Sequence, residues 1–100
     1  MNNTIFKSRL TRHSAFMARC ASARLTPNQF LFLSHTHRNP GSGTTDTAKA
    51  LGISRSAVTE IFQVLRDRGL VTNTISQLDE RRTIYQLTEE GIRLLATLLN

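Results

Sequence analysis

Residues 44–69 hold two short helical segments separated by a tight turn at Gly52. Thr45 can cap the first segment, which runs to Leu51, and Gly52 supplies the left-handed conformation that ends such a helix. Ser54 then begins the second segment as its N-cap. One face of that segment repeats apolar residues at the i, i+3, i+4 and i+7 spacing: Val58, Ile61, Phe62 and Leu65. Two helices joined by a tight glycine turn predict a helix-turn-helix unit.

A β-hairpin is predicted directly after this unit. Gly69 ends the second helix, and residues 70–75 and 83–87 are rich in β-branched side chains. The charged residues 79–82 lie between these two runs and form a polar tip. A helix-turn-helix followed at once by a hairpin is the order of elements in a winged helix-turn-helix.

Three further helices complete the predicted architecture. An apolar stripe spaced by threes and fours indicates a helix from Ile5 to Leu25. A capping box at Thr26 begins the next helix, which ends by about His37, and Thr88 can cap a last helix. The predicted fold class is therefore mainly α with one small β-hairpin (α+β). We expect a basic amphipathic helix over residues 1–25 and a winged helix-turn-helix domain over residues 26–100.

The surplus of positive charge lies in the N-terminal part of the chain. The net charge is 13 − 7 = +6, and no acidic residue precedes Asp46. Such a chain attracts polyanions, so nucleic acid and an anionic membrane surface are the first partners to consider. Two other interpretations remain open: an arginine-rich mitochondrial transit peptide, and arginines that merely solvate a helix face.

Several function classes are excluded by what the sequence lacks. A single cysteine cannot form an intramolecular disulfide, which excludes a secreted disulfide scaffold. No stretch approaches the ~20 apolar residues of a membrane span, which excludes an integral membrane protein. We find no phosphate-binding glycine loop after a strand and no nucleophile motif, so we predict neither an enzyme nor a cofactor. His35 and His37 would lie on nearly opposite sides of a helix, so no metal site is expected. Cys20 falls on the apolar stripe, which favours an inert core thiol over a redox sensor.

Polar side chains of the second helix of the unit, about residues 54–68, lie opposite its apolar stripe. Four of them face outward with groups that can meet base edges in a major groove: Ser56, Thr59, Glu60 and Gln63. Arg55 can contact base or phosphate, and Ser54 and Ser56 can help the helix N-terminus to bind a phosphate. A carboxylate at Glu60 is repelled by DNA unless it accepts a cytosine amino proton.

These residues resemble the MarR-type winged-helix transcriptional regulators. One matching block is Leu51-Gly52-Ile53-Ser54, Ser56, Val58, Thr59, Leu65 and Gly69-Leu70-Val71. The wing gives a sharper match, with an Asp-x-Arg and Leu-Thr-x-x-Gly pattern in register at Asp79, Arg81, Leu87-Thr88 and Gly91. The resemblance covers roughly residues 26–99.

The resemblance implies a homodimer that binds double-stranded DNA at a palindromic operator, most simply as a repressor in a bacterial or archaeal cytoplasm. The recognition helix would enter the major groove, and the wing, about residues 70–87, would reach the minor groove. Arg81 would enter that groove or grip its phosphates, Asp79 would orient the Arg81 guanidinium, and Arg82 would add a phosphate contact. The alternative is that residues 79–82 form only a solvated turn.

The resemblance implies a dimer interface built from the N-terminal helix and two long C-terminal helices, whereas this sequence has one short helix after the wing. Apolar residues of the first and last helices remain to pair with a partner: Phe6, Leu10, Phe16, Met17, Cys20, Leu95, Leu98 and Leu99. The alternative is that both helices pack onto their own domain. No small-molecule effector is predicted.

Two other functions stay open from the sequence alone. A winged-helix module without DNA binding could pair with another regulator through its apolar helices. Alternatively, the basic N-terminal helix could bind RNA or an unusual DNA structure.

Overall fold

Five helices and a two-stranded antiparallel hairpin form the described part of the computed structural model. The structure describes residues 3–80 and 82–99, with side chains for Arg12, residues 14–80 and residues 82–99. The elements in chain order are α1 (Asn3–Ser22), α2 (Pro27–Arg38), α3 (Thr44–Leu51), α4 (Arg55–Asp67), β1 (Val71–Ile75), β2 (Thr83–Leu87) and α5 (Glu89–Leu99). This order confirms the predicted winged helix-turn-helix. Among the described residues, we find no helix long and apolar enough to cross a membrane.

The helix starts follow their capping residues, with one correction. The Thr26 hydroxyl accepts from the Gln29 N–H at 3.1 Å, and the Gln29 side chain accepts from the Thr26 N–H at 3.0 Å. Ser54 caps α4 as predicted, since its hydroxyl accepts from the Ala57 N–H at 3.0 Å. The prediction that Thr45 caps α3 is wrong. Gly43 is the N-cap, and Asp46 in the first turn accepts from the Gly43 N–H at 3.2 Å.

Helices α1 and α4 end in the same way with different residues. Gly69 has φ +74°, and the Leu70 N–H donates to the Leu65 carbonyl at 3.0 Å. After α1 the left-handed position is taken by Arg24, with φ +58°. The early stop at Arg24 explains why α1 ends three residues before the predicted Leu25.

The guanidinium of Arg68 joins these two helix ends. It donates to the Ala23 carbonyl at 2.9 Å and to the Arg24 carbonyl at 2.8 Å. Carbonyls at a helix C-terminus lack intrahelical partners and carry partial negative charge, so a guanidinium is a favourable partner for them. The end of α1 is thereby fixed to the end of α4.

The hairpin is held at its base by α5. Val71 pairs with Leu87 and Ile75 with Thr83 in the antiparallel register. The Thr88 hydroxyl donates to the Gly69 carbonyl at 2.6 Å and accepts from the Gly91 N–H at 3.1 Å. A Cβ on Gly91 would stand 2.1 Å from the Leu70 carbonyl oxygen. Only glycine allows α5 to approach the start of β1 this closely.

Aromatic rings connect the wing with the recognition helix. The Tyr85 ring of β2 stacks on Phe62 of α4, with centroids 4.7 Å apart, and lies 5.2 Å from the Phe32 ring of α2. Phe32, Val58 and Leu65 are fully buried. Since this packing is dense, α4 and the base of the wing hold a fixed relative position.

Candidate nucleic-acid interface

The outer face of α4 is polar and exposed, as the apolar spacing predicts. Val58, Phe62 and Leu65 are buried in the core. The predicted contact residues at the helix start and along the opposite face are all exposed: Ser54, Arg55, Ser56, Thr59, Glu60 and Gln63. The Thr59 hydroxyl donates to the Arg55 carbonyl at 3.1 Å, so its oxygen keeps accepting capacity toward solvent.

Glu60 differs from the other predicted base contacts in its surroundings. With Ala57, Ile61 and Val64, it lines a cavity of about 540 Å³ against residues 26–29 at the start of α2. Arg55, by contrast, lines a cavity shared with the wing. Glu60 therefore lies toward the flank of α4 that faces α2, away from the wing.

A polar cavity of about 450 Å³ separates the start of α4 from the wing. Its lining residues come from the turn before α3, from α3, from α4 and from the wing: Gly43, Thr44, Thr45, Asp46, Arg55, Asp79, Arg82 and Thr83. Arg55 and Arg82 thus contribute their charges to the same end of the molecule. The carboxylates of Asp46 and Asp79 line the same cavity, so a phosphate of a nucleic-acid backbone would compete with them for the two guanidinium groups.

Arg82 forms contacts within the chain that its predicted role did not include. Its guanidinium donates to the Asp46 carboxylate and to the Gly41 carbonyl, the latter at 3.3 Å. The two side chains of the ion pair are 49% and 47% exposed. The Gly43 N–H, and then the neighbouring Arg82 and Lys49 charges, hold the pKa of Asp46 below its usual value against the opposing effect of desolvation. The Arg82 guanidinium can contact a phosphate only if it divides its hydrogen bonds between the phosphate and Asp46 or gives up its ion pair with Asp46.

The wing tip is an ordered turn around residues 76–82. The Ser76 N–H donates to the Arg82 carbonyl at 2.8 Å, and the Arg82 N–H donates to the Asp79 carbonyl at 2.9 Å. The Ser76 hydroxyl accepts from the Asp79 N–H at 3.4 Å. Asp79 lies beside the cavity that holds Arg55. The predicted groove-entering residue, Arg81, lies outside the described residues.

Sequence reasoning missed the roles of three residues that organise this end of the molecule. The hydroxyls of Thr44 in α3 and Tyr85 in β2 share a hydrogen bond of 2.7 Å. Asp46 both accepts from Gly43 at the start of α3 and pairs with Arg82. An acidic residue in the first turn of a predicted helix is a recognisable capping signal, but its wing partner is not readable from local sequence.

The residues predicted for dimerisation occupy different environments. Cys20, Leu95 and Leu98 are buried in the chain's own core, and Phe16 packs edge-on against Phe30 with centroids 5.0 Å apart. Met17 and Leu99 are exposed, at 40% and 56%. The side chains of Phe6 and Leu10 lie outside the described residues.

The structure bears on two kinds of candidate reactive group, the Cys20 thiol and possible metal ligands. Burial raises the pKa of the Cys20 thiol, which disfavours the reactive thiolate. Within the part of the chain that the structure describes, no group of three or more His, Cys, Asp or Glu side chains is arranged to hold a metal ion.

Comparison with known proteins identifies the family. A profile of the MarR family matches residues 25–82, which is more than half of the chain. The HTH-type transcriptional regulator YgaV of Escherichia coli is 31% identical over 75 residues, covering 74% of this chain and 73% of YgaV. A transcriptional regulatory protein for the hcr operon of Thauera aromatica is 29% identical over 72 residues, covering 72% of this chain and 43% of that protein. The chain belongs to the MarR family.

Solved structures of regulators show the same fold. The transcriptional repressor CouR, bound to a 23-mer DNA duplex, matches with a TM-score of 0.79 and 33% identity, covering 96% of this chain and 68% of CouR. A mutant of Staphylococcus aureus MepR bound to an oligodeoxyribonucleotide matches with a TM-score of 0.84 and 22% identity, covering 99% of this chain and 75% of MepR. The MepR likeness concerns the fold alone.

Proposed function

We propose that this protein is a DNA-binding transcriptional regulator that acts as a homodimer, with α4 in the major groove and the wing at the adjacent minor groove. The role we assign is repression at a palindromic operator, because a two-fold symmetric dimer reads two equivalent half-sites. Membership of the MarR family and the likeness to CouR, which was solved on a duplex, support DNA as the ligand.

The observation that carries this proposal is the common cavity of Arg55 and Arg82. Arg55 begins the recognition helix and Arg82 ends the wing tip, yet both line one polar cavity of about 450 Å³. A duplex laid on this end of the molecule would meet both cations and the outer face of α4 together. Phosphate contacts then set the register, and side chains of α4 read bases.

The side chains that we propose as base contacts lie on two parts of the α4 surface. Ser56, Thr59 and Gln63 are exposed on the outer face of α4 and offer neutral donors and acceptors. Glu60 lies toward the α2 flank, where its carboxylate selects a cytosine amino group if it reaches the groove. Arg81 and Asp79 retain the proposed wing role, and Asp79 lines the same cavity as Arg55.

Dimerisation is proposed through α1 and α5. An open, mainly apolar cavity of about 370 Å³ lies between them, lined by Ala18, Arg19, Ser22, Ala23, Leu94, Thr97 and Leu98. Exposed Met17 and Leu99 add apolar surface on the same two helices. Cys20 and Leu95 support this surface from the core, whereas Leu98 lines the cavity itself. Residues 1–25 would then serve as a dimerisation element packed on the DNA-binding domain of residues 26–100.

The test begins with the solution mass and a DNA titration of the full chain. Duplexes enriched from a random-sequence pool are titrated by fluorescence anisotropy at several salt concentrations, and Arg55→Ala is compared with wild type. We expect a dimer whose affinity falls steeply with salt, and a shallower salt dependence for Arg55→Ala.

Arg93→Ala is the matched control, since Arg93 is an exposed arginine of α5 that pairs with Glu90 and does not line the cavity. It should bind DNA as wild type does. Failure of the wild-type chain to bind any duplex at low salt would overturn the proposal, and a monomeric mass would overturn its homodimer part.

A further inference from the structure

The tip of the wing presents an apolar side chain from an ordered turn. Leu78, between β1 and β2, is 99% exposed. Its N–H donates to the Ser76 hydroxyl at 3.2 Å, and the Ser76 N–H donates to the Arg82 carbonyl at 2.8 Å. These bonds fix the backbone on both sides of Leu78, so its side chain projects into solvent from a defined position.

The tip around Leu78 is electrically balanced. Residues 76–82 contain two acidic and two basic side chains, which gives 2 − 2 = 0. One of the basic groups, Arg82, is already engaged by Asp46. The tip therefore adds no net charge, and its electrostatic contribution to DNA binding is limited to the individual contacts proposed for Arg81 and Arg82. A single exposed leucine is ordinary on a protein surface, but this one is 99% exposed at the tip of the wing, the same element that places Arg82 in the cavity with Arg55.

We propose that Leu78 is an apolar wedge that enters the minor groove of duplex DNA and partly unstacks one base step. This inference rests on the proposed function, which brings the wing to that groove. Minor-groove proteins commonly insert leucine, isoleucine or similar side chains between base steps and kink the duplex there. The charges of Arg55 and Arg82 attract the duplex to the same end of the molecule.

Two further apolar side chains lie near this residue. Leu78, Ile75 and Ile84 line a cavity of about 490 Å³ together with polar residues that include Gln77, Arg82 and Gln86, and Ile75 is 62% exposed. Sugar edges of the groove walls can pack against this surface once Leu78 is inserted. The wedge therefore contributes affinity that does not depend on salt and selects base steps that unstack easily.

The first test compares two substitutions of similar size on duplexes enriched by the wild-type chain. Leu78→Gln keeps the length of the side chain but removes its apolar end, and we expect a roughly five- to tenfold rise in Kd with an unchanged salt slope. Leu78→Met keeps the apolar end and should bind within about twofold of wild type. Gln77→Ala changes the neighbouring tip residue and serves as the matched control with no effect.

The second test places 2-aminopurine in turn at each base step that the wing can reach. Wild-type binding should raise its fluorescence at one step because that base unstacks, and Leu78→Gln should abolish the rise. All variants should have the same thermal unfolding midpoint as wild type, since Leu78 is 99% exposed.

The outcomes separate the two proposals. If the wild-type chain enriches no duplex, both the proposed function and the wedge are overturned. If wild type binds DNA but Leu78→Gln binds equally well, or keeps the fluorescence rise, only the wedge is overturned. A wild-type complex that shows no fluorescence rise at any step, or a Leu78→Gln variant with a changed salt slope, also overturns the wedge.

Discussion

The hydroxyls of Thr44 and Tyr85 share one hydrogen bond of 2.7 Å, and this bond ties the first turn of α3 to the second strand of the wing. The Tyr85 ring stacks on Phe62 of the recognition helix at 4.7 Å. One tyrosine thus contacts the two helices of the helix-turn-helix unit and belongs to the wing. The relative placement of the three elements depends strongly on this side chain.

Tyr85→Phe should lower the free energy of unfolding by about 0.5–1.5 kcal/mol, the usual contribution of one such hydrogen bond. Stacking on Phe62 survives, so the fold should persist. Urea unfolding followed by circular dichroism measures the change. In a double-mutant cycle with Thr44→Val, the coupling energy between the two positions should account for most of the stability lost in Tyr85→Phe. Additive losses would show that the two hydroxyls act independently.

Asp46→Asn should strengthen DNA binding on the proposed function. The amide oxygen can still accept from the Gly43 N–H, while Arg82 loses its carboxylate partner and becomes available to a phosphate. We expect several-fold tighter binding and a salt slope steeper by about one unit, measured by fluorescence anisotropy. Lys49→Gln, at another charge near Asp46, is the control and should not tighten binding. Unchanged affinity in Asp46→Asn would indicate that Arg82 makes no phosphate contact.

The same carboxylate predicts a pH dependence of stability. The pKa of Asp46 lies below its ordinary value of 3.8 in the folded chain, so the ionised form stabilises the fold. That contribution is present above the ordinary value and is lost as pH falls through the lowered pKa. The stability difference between wild type and Asp46→Asn should therefore shrink in acid, below about pH 4. The difference should be small at neutral pH, because both partners of the ion pair are half-exposed. A difference that is constant from pH 7 to pH 2 would contradict this account.

Arg24→Gly should stabilise the protein by about 0.5–1 kcal/mol, because a residue other than glycine is strained in the left-handed conformation. Arg24→Ala removes the same side chain but keeps the strain, so it serves as the control. The Arg68 contacts involve backbone carbonyls and should survive both changes. Thermal unfolding of wild type, Arg24→Gly and Arg24→Ala tests this prediction. Equal stability of the glycine and alanine variants would rule out backbone strain at this position.

Gly91→Ala should destabilise the protein by about 2–3 kcal/mol, since its Cβ would overlap the Leu70 carbonyl and force α5 away from the wing. Gly52→Ala is the comparison, because Gly52 has φ +69° but no atom within 4 Å of the new Cβ. It should lose only about 1–2 kcal/mol from backbone strain. A Gly91→Ala variant no less stable than Gly52→Ala would mean that α5 shifts freely.

The winged fold could be predicted because its signals are local. Ser54 and Gly69 bracket α4, apolar spacing places Val58 in the core, and the β-branched runs define the hairpin. These features act over a few residues, so the sequence alone reveals them.

Long-range relationships could not be predicted in the same way. Nothing near Arg82 indicates that it pairs with Asp46, which lies 36 residues earlier. The spacing of Cys20 and Leu95 indicates an apolar face, but the same spacing suits a face that meets a partner and one that meets the chain's own core. Burial of both residues in the core became evident only from the packing of α1 and α5.

The wing is secured at its base and leaves its tip free of the core. Thr88 and Gly91 hold the strands, whereas Gln77, Leu78 and Glu80 are exposed. Substitutions should therefore be tolerated less well at the base of the hairpin than at its tip. Nearly all substitutions at the three tip positions should give folded protein. On the proposed function, substitutions at the tip can change the preferred DNA sequence without disturbing the core, so such regulators could diverge in target choice while keeping one scaffold.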